Sequence, residues 1–311
     1  MKESIVTRIT ENWDEIDRME KTLSAPVPRL IMLEVTNACN LQCRMCGNRK
    51  MKRVRGRMPV ELGRKAIREA AHAGIREVAL YTTGEPLLYP ELEKLIASAK
   101  QNNMRCILTS NGLLLNQKSA EMLCSSGLDS FKFSIDGTTR EEYEDIRRGG
   151  SFDTLLKKVS LLKETRDRMG SGLKIICAMV LMKRNAGSIP VFRKTFGQLC
   201  DEILISPETS LGGKNGSAAS TGGNDDFRPC RLLWDRIIVN YDGKITACCV
   251  DFDADMVYAD LHSDSLLEAW NNKTMRLWRK MHLTNTIDGL PLCGNCDAPY
   301  VFEKGALINE N

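Results

Sequence analysis

Apolar runs with strand character recur along the chain at Leu30–Val35, Glu77–Tyr81, Arg105–Thr109, Ser130–Ser134, Leu173–Met182 and Glu202–Ile205. Between them, apolar residues return every three or four positions over Val60–Ala73, Tyr89–Asn102, Gln117–Ser126, Phe152–Arg168 and Ile189–Leu199. That spacing predicts amphipathic helices. Gly74 and Gly127 follow two of them and suit helix stops. Strand and helix alternate through six strands, which argues an α/β fold with a parallel sheet built from right-handed crossovers. Periodicity leaves two architectures open, a doubly wound open sheet and a partial barrel.

The alternation breaks at Ser206–Asp226, a stretch rich in Gly, Ser and Asn that reads as a linker. Beyond it, Ile237–Asn240 and Lys244–Cys249 flank Tyr241-Asp242-Gly243 and predict a β-hairpin. Ser265–Asn271 and Thr274–His282 have helical spacing. The expected organisation is a polar, helical lead-in over 1–28, a main domain over 29–206, a linker over 207–228 and a small α+β domain over 229–311. A domain of roughly 80 residues has a marginal core, which a metal centre would strengthen.

Composition removes several function classes. The 311 residues carry a net charge of +4 and only 6% aromatics. Neither a basic stripe nor a base-stacking platform is present, so no nucleic-acid partner is expected. The longest unbroken apolar run, Ile175–Met182, is far short of the ~20 residues of a membrane helix, and no membrane partner is expected. The first residues, Met1-Lys2-Glu3-Ser4, begin no signal-like apolar stretch. Cysteine changes the picture, with 12 in all. In the reducing, cytoplasmic location these features predict, cysteines at short spacings mean metal rather than disulfides.

Cys39, Cys43 and Cys46 form Cys-x3-Cys-x2-Cys directly after the first strand. Three thiolates in so short a loop can face one point. They suit an iron–sulfur cube with one iron left open to a ligand. A three-cysteine zinc site with a fourth ligand elsewhere, or plain buried thiols, fits the spacing too.

Cys39-Asn-Leu-Gln-Cys43-Arg-Met-Cys46, preceded by Glu34-Val-Thr-Asn, resembles the signature of radical S-adenosylmethionine (SAM) enzymes. The resemblance extends over nearly the whole chain. It implies a partial (β/α)6 TIM-like barrel and a [4Fe–4S] cluster whose fourth iron is chelated by SAM. It further implies reductive cleavage of SAM to a 5′-deoxyadenosyl radical that takes hydrogen from substrate. Thr83-Gly84-Glu85-Pro86 is similar to that family's Gly-Gly-Glu-Pro motif, which binds the SAM amino group, with Thr83 in place of the first glycine. Thr109-Ser110-Asn111-Gly112 and Ser134-Ile135-Asp136-Gly137 close the third and fourth strands. The resemblance gives Ser110, Asn111, Ser134 and Asp136 to ribose and carboxylate contacts. It gives the SAM carboxylate to Arg147, in preference to Arg148, and places Met45 near the adenine.

Cys230, Cys248 and the Cys293-Gly-Asn-Cys296 knuckle gather in the second domain. Spacing alone allows Zn(Cys)4 or an iron–sulfur centre. The context, with Ser265-Leu-Leu-Glu-Ala-Trp270-Asn between the pairs, resembles the SPASM or twitch extension of radical SAM enzymes. That resemblance implies one auxiliary [4Fe–4S] cluster, fully ligated by protein. Cys249 follows ligand Cys248, so in an extended strand its side chain points the other way. A free thiol there is a candidate hydrogen-atom donor, as in radical SAM epimerases; burial on the far side, or a swap of roles with Cys248, is the alternative.

Cys106, Cys124, Cys177 and Cys200 read as core thiols, and His72, His262 and His282 call for no role. Arg49, Lys50, Lys52, Arg53, Arg55 and Arg57 read as a solvated loop, or as a dock for an acidic flavodoxin- or ferredoxin-type reductant. The expected function is radical SAM epimerisation or dehydrogenation of a small molecule, a carbohydrate or aminocyclitol. Peptide or protein side-chain modification is the second reading, and a non-catalytic metal-binding or redox-sensing module the third.

Overall fold

The structure is a computed structural model and describes residues 23–213 and 229–299. Six strands and six helices come first. The strands are β1 (Leu30–Leu33), β2 (Glu77–Ala79), β3 (Arg105–Ser110), β4 (Ser130–Ser134), β5 (Lys174–Leu181) and β6 (Glu202–Pro207). The helices are α1 (Val60–His72), α2 (Leu92–Gln101), α3 (Gln117–Ser125), α4 (Arg140–Ile146), α5 (Phe152–Met169) and α6 (Ile189–Phe196). One helix follows each of β1, β2, β3 and β5, and two follow β4. Local sequence marks their ends. Asn116 and Ser119 form a reciprocal capping box on α3, and Ser151 caps α5, which stops at Gly170 in the left-handed region (φ 60°).

All six strands are parallel and neighbour one another in chain order. Side chains alternate between two faces. Ile31, Leu33, Val78, Leu80, Leu108 and Phe131 belong to the large core with the helices. Leu30, Met32, Ala79 and Ile238 form a separate cluster on the helix-free face, joined by Tyr81, Ile107 and Cys249. This is the partial (β/α)6 barrel, with helices outside and a concave inner face.

The segment after residue 228 continues the same sheet. It runs α7 (Leu232–Asp235), β7 (Arg236–Val239), β8 (Lys244–Thr246), β9 (Val257–Asp260), α8 (Leu266–Trp270) and α9 (Lys273–Leu283). β7 pairs parallel to β1, with Leu30 opposite Arg236, and β8 and β9 add antiparallel. Arg29 stitches this junction. Its guanidinium reaches Asp235 (2.9 Å) and Glu77 (2.8 Å), so one side chain spans β7, β1 and β2. The expected linker starts out docked: Ser210 bonds to Asp297 (2.7 Å) and to the Asn295 carbonyl (3.0 Å). Most of its remainder, and most of the lead-in, lie outside the described residues. No helix among the described residues is long and apolar enough to cross a membrane.

Candidate functional site

Cys39, Cys43 and Cys46 sit in the loop that leaves the C-terminal end of β1. Each sulfur already has a donor aimed at it. The Leu41 amide is 3.5 Å from Cys39, the Asn48 amide 3.4 Å from Cys46, and the Arg147 guanidinium 3.8 Å from Cys43. Burial raises all three thiols, pushing Cys39 up to about 12, with Glu85 and the neighbouring cysteines adding to the effect. Three buried or half-buried thiols with raised pKa values are costly to ionise alone. A cation that displaces their protons offsets that cost, and N–H···S contacts favour the thiolate form. The donor set therefore fits an iron–sulfur cluster.

The turn after β2 lies against this loop. Gly84 has no room for a side chain: a Cβ there would stand 2.2 Å from the Thr36 carbonyl and 2.7 Å from that of Ala38. The Glu85 amide donates to the same Ala38 carbonyl (2.8 Å). Glu85 is buried and accepts from the Ser110 hydroxyl (2.6 Å), the Asn111 amide (2.8 Å) and the Leu87 amide (3.0 Å), the last in the short turn opened by Pro86. Burial raises its pKa against those three bonds. A carboxylate has about four acceptor sites, so one remains for a cationic ligand.

Asp136 follows β4 with positive φ (70°). It accepts from Arg147 (2.6 Å) and from the Val180 amide (2.7 Å). Arg147 also donates to the Ile135 carbonyl (3.1 Å), whereas Arg148 is exposed. Of the two arginines, Arg147 faces the cysteines. Ser134 ends β4, half-buried, and Met45 lies half-buried between the second and third cysteines.

The basic loop departs from the expectation of a solvated segment at two positions. Arg53 turns inward and binds Glu34 through both terminal nitrogens, and Arg55 donates to the carbonyls of Asn37 (2.8 Å) and Asn48 (2.7 Å). Arg49, Lys50, Lys52 and Arg57 remain exposed.

The second thiol set lies at the other end of the strands. Cys230 precedes β7, whose first residue pairs with Leu30 at the start of β1, and Cys248 follows the antiparallel β8. One cavity is lined by Cys230, Cys248, Cys293 and Cys296 among mostly apolar side chains. Burial raises Cys230, to about 12, as well as Cys293 and Cys296, while Cys248 is raised first by its bond to Cys249 and then by burial. The four fit a fully ligated centre. Cys248 packs with the large core and Cys249 with the inner-face cluster, but both lie beyond the end of β8, Cys249 in a turn, so the extended-strand alternation expected for them does not apply and their thiols contact each other. The Cys248 thiol, and then the Arg236 guanidinium, draw Cys249 below the ordinary thiol range.

His282, which showed no signal in the sequence, lines the same cavity. Its Nδ1 is 3.2 Å from the Cys230 amide, and burial holds its pKa down at about 4.

Residues 33–180 match the model of the radical SAM superfamily, and residues 230–297 match that of an iron–sulfur cluster-binding domain, SPASM. The chain is 25% identical over 296 residues to a PqqA peptide cyclase of Gluconobacter oxydans, covering 80% of this chain and 78% of that one. It is 26% identical over 189 residues to an AdoMet-dependent heme synthase of Oleidesulfovibrio alaskensis, of which it spans only 46%. Among solved structures, Streptococcus suis SuiB bound to precursor peptide SuiA superposes with a TM-score of 0.69 at 13% identity, over 97% of this chain and 76% of that one. BtrN in complex with AdoMet and 2-DOIA superposes with a TM-score of 0.62 at 18% identity, over 87% and 93%. The two matched models each enclose one thiol set and together imply a SAM-binding [4Fe–4S] cluster and an auxiliary iron–sulfur cluster. The chain thus belongs to the radical SAM superfamily and carries a SPASM iron–sulfur domain behind its partial barrel.

Proposed function

We propose that this radical SAM enzyme takes a hydrogen atom from a residue of a peptide or protein substrate, held on the concave face between the two thiol sets. The observation that carries the substrate class is the similarity to a peptide cyclase along 80% of this chain and 78% of that one. It puts a peptide ahead of the carbohydrate or aminocyclitol expected from the sequence. When bound, the first cluster and SAM together supply a 5′-deoxyadenosyl radical able to attack an unactivated C–H bond.

The chain's own residues bind and orient. Cys39, Cys43 and Cys46 are the ligands at the mouth. Glu85 offers its free acceptor site to the SAM ammonium, in a turn shaped by Gly84 and Pro86. Ser110, Asn111 and Ser134 offer short polar groups to the ribose, and Met45 packs on the adenine. Arg147 takes the SAM carboxylate with the N–H groups left over from its bonds to Ile135 and Asp136. Cys230, Cys248, Cys293 and Cys296 hold the auxiliary centre. Exposed Arg49, Lys50, Lys52 and Arg57 suit an acidic flavodoxin- or ferredoxin-type reductant beside the first loop.

Cys249 returns a hydrogen atom to the substrate radical from the floor of the barrel, which makes the outcome an epimerisation. Its packing on the inner face supports this. A second substrate reading, a carbohydrate or aminocyclitol, draws on the Lys132 ammonium, which stands over the Tyr81 ring at 5.7 Å.

The test is 5′-deoxyadenosine release by reconstituted enzyme with SAM and dithionite. A pooled library of synthetic peptides should raise it above the substrate-free rate, with an altered peptide in the mass spectrum. Stimulation by aminocyclitols and not by peptides would overturn the peptide reading.

A further inference from the structure

We infer that His282 donates an Nε2–H hydrogen bond to sulfur of the auxiliary iron–sulfur centre and thereby raises that centre's reduction potential. The inference rests on Cys230, Cys248, Cys293 and Cys296 being the centre's ligands.

His282 lies in the last turn of α9, 1% exposed, and lines the cavity with those four cysteines. The Cys230 backbone N–H, 3.2 Å from Nδ1, can only donate. Nδ1 must therefore carry the lone pair, and in a neutral imidazole the proton then sits on Nε2. That Nε2 is buried and has no hydrogen-bond partner among the described residues. A buried donor left unpaired keeps the cost of its lost hydration, so it calls for an acceptor. The side chains around it, Leu232, Leu233, Ile287 and Leu292 among them, offer none. Sulfur is the acceptor this cavity provides.

The ring is held, not loose. One turn earlier on α9, the buried Arg279 donates to the Leu233 carbonyl (3.0 Å) in α7, the helix that follows Cys230. It also donates to the Trp270 carbonyl (3.0 Å) and stacks on the Trp270 ring at 4.4 Å. This fixes the register of α9 against Cys230. A protonated Nε2 is a donor and not a ligand, which leaves four cysteines as the complete set. Hydrogen bonds to cluster sulfur stabilise the more negative, reduced state.

The test uses the full chain with Cys39, Cys43 and Cys46 changed to Ala, so that only the auxiliary centre is loaded. About four irons per chain establish that the centre is present. An EPR-monitored redox titration should then show a lower midpoint potential for His282→Phe, with recovery in His282→Gln, whose carboxamide restores an N–H. In the parent labelled with 15N-histidine, pulsed EPR should show a weak nitrogen coupling that His282→Phe lacks. The labelled parent decides the matter even if the Phe variant does not fold. With four irons present, unchanged midpoints and no histidine coupling overturn the donor role, as does a coupling of the size of a directly ligated nitrogen. Zinc in place of iron overturns the cluster reading itself and the donor role with it, and metal analysis separates that failure from the others.

Discussion

Arg53 closes on Glu34 with both terminal nitrogens, 3.0 and 2.6 Å from the two carboxylate oxygens. The same carboxylate accepts from the Thr83 hydroxyl and from the Tyr241 amide (3.2 Å), and Arg53 reaches on to the Phe252 carbonyl (2.8 Å). One buried anion thus joins the end of β1, the turn before Glu85 and two loops of the SPASM domain. Thr83, where the family motif has glycine, uses its hydroxyl for this junction. Arg53→Ala leaves that anion without its counter-ion and should cost about 3–5 kcal/mol. Arg53→Lys keeps the charge, loses the two-pronged geometry and should cost less. Denaturant midpoints of the two variants check the order; equal stabilities would mean that the fork contributes nothing.

Gly84→Ala meets backbone, not a yielding side chain, at 2.2 Å. The turn over 83–86 must move off the cysteine loop, and overpacking of this kind costs about 1–3 kcal/mol. The expected outcome is reduced iron retention at the first site with the auxiliary four irons kept, read by iron analysis after gel filtration.

Acid should attack the β1–β7 junction. Burial opposes ionisation of Asp235, but Arg236 and Arg29 outweigh it and hold its carboxyl below the usual aspartate value. Above the unfolded pKa of about 4 the unfolded chain has already lost this proton, so the stabilisation is fully present there. As the pH falls below about 4 the unfolded state takes up the proton first and the contribution is lost. Asp235→Asn should destabilise the protein at neutral pH and flatten the stability profile below pH 4. Urea midpoints measured from pH 3 to 7 would reveal a parallel, unflattened profile if the pair were unimportant.

For Cys249 the expectation concerns product. In D2O the wild-type enzyme should place one deuterium at the inverted carbon. Cys249→Ala should still release 5′-deoxyadenosine while losing that deuterated product. Unchanged deuterium incorporation in the variant removes Cys249 from the reaction.

What the sequence made legible was local. Six strands showed as apolar runs, and both thiol sets showed in short spacings such as Cys39 to Cys46 and Cys293 to Cys296. Three elements escaped because they are short or their apolar signal is thin, among them α7, a single turn of four residues. α4 buries only Tyr143 and Ile146, although Thr139 before Glu142 is a readable cap, and β9 is four residues with one buried. The rest was non-local. Arg53 is distinguished from its basic neighbours by Glu34 and by Phe252, 199 positions away. His282 is distinguished by Cys230, 52 positions away. No spacing rule connects such pairs, since only the fold brings them together.

The place of β1 between β2 and β7 has a practical consequence. A shortened chain ending before residue 229 would not simply lack an accessory lobe. It would turn an interior strand, Leu-Ile-Met-Leu, into a bare apolar rim with a row of unpaired amides and carbonyls. Such a rim invites pairing with other chains, so the isolated barrel should precipitate where the longer protein stays dispersed.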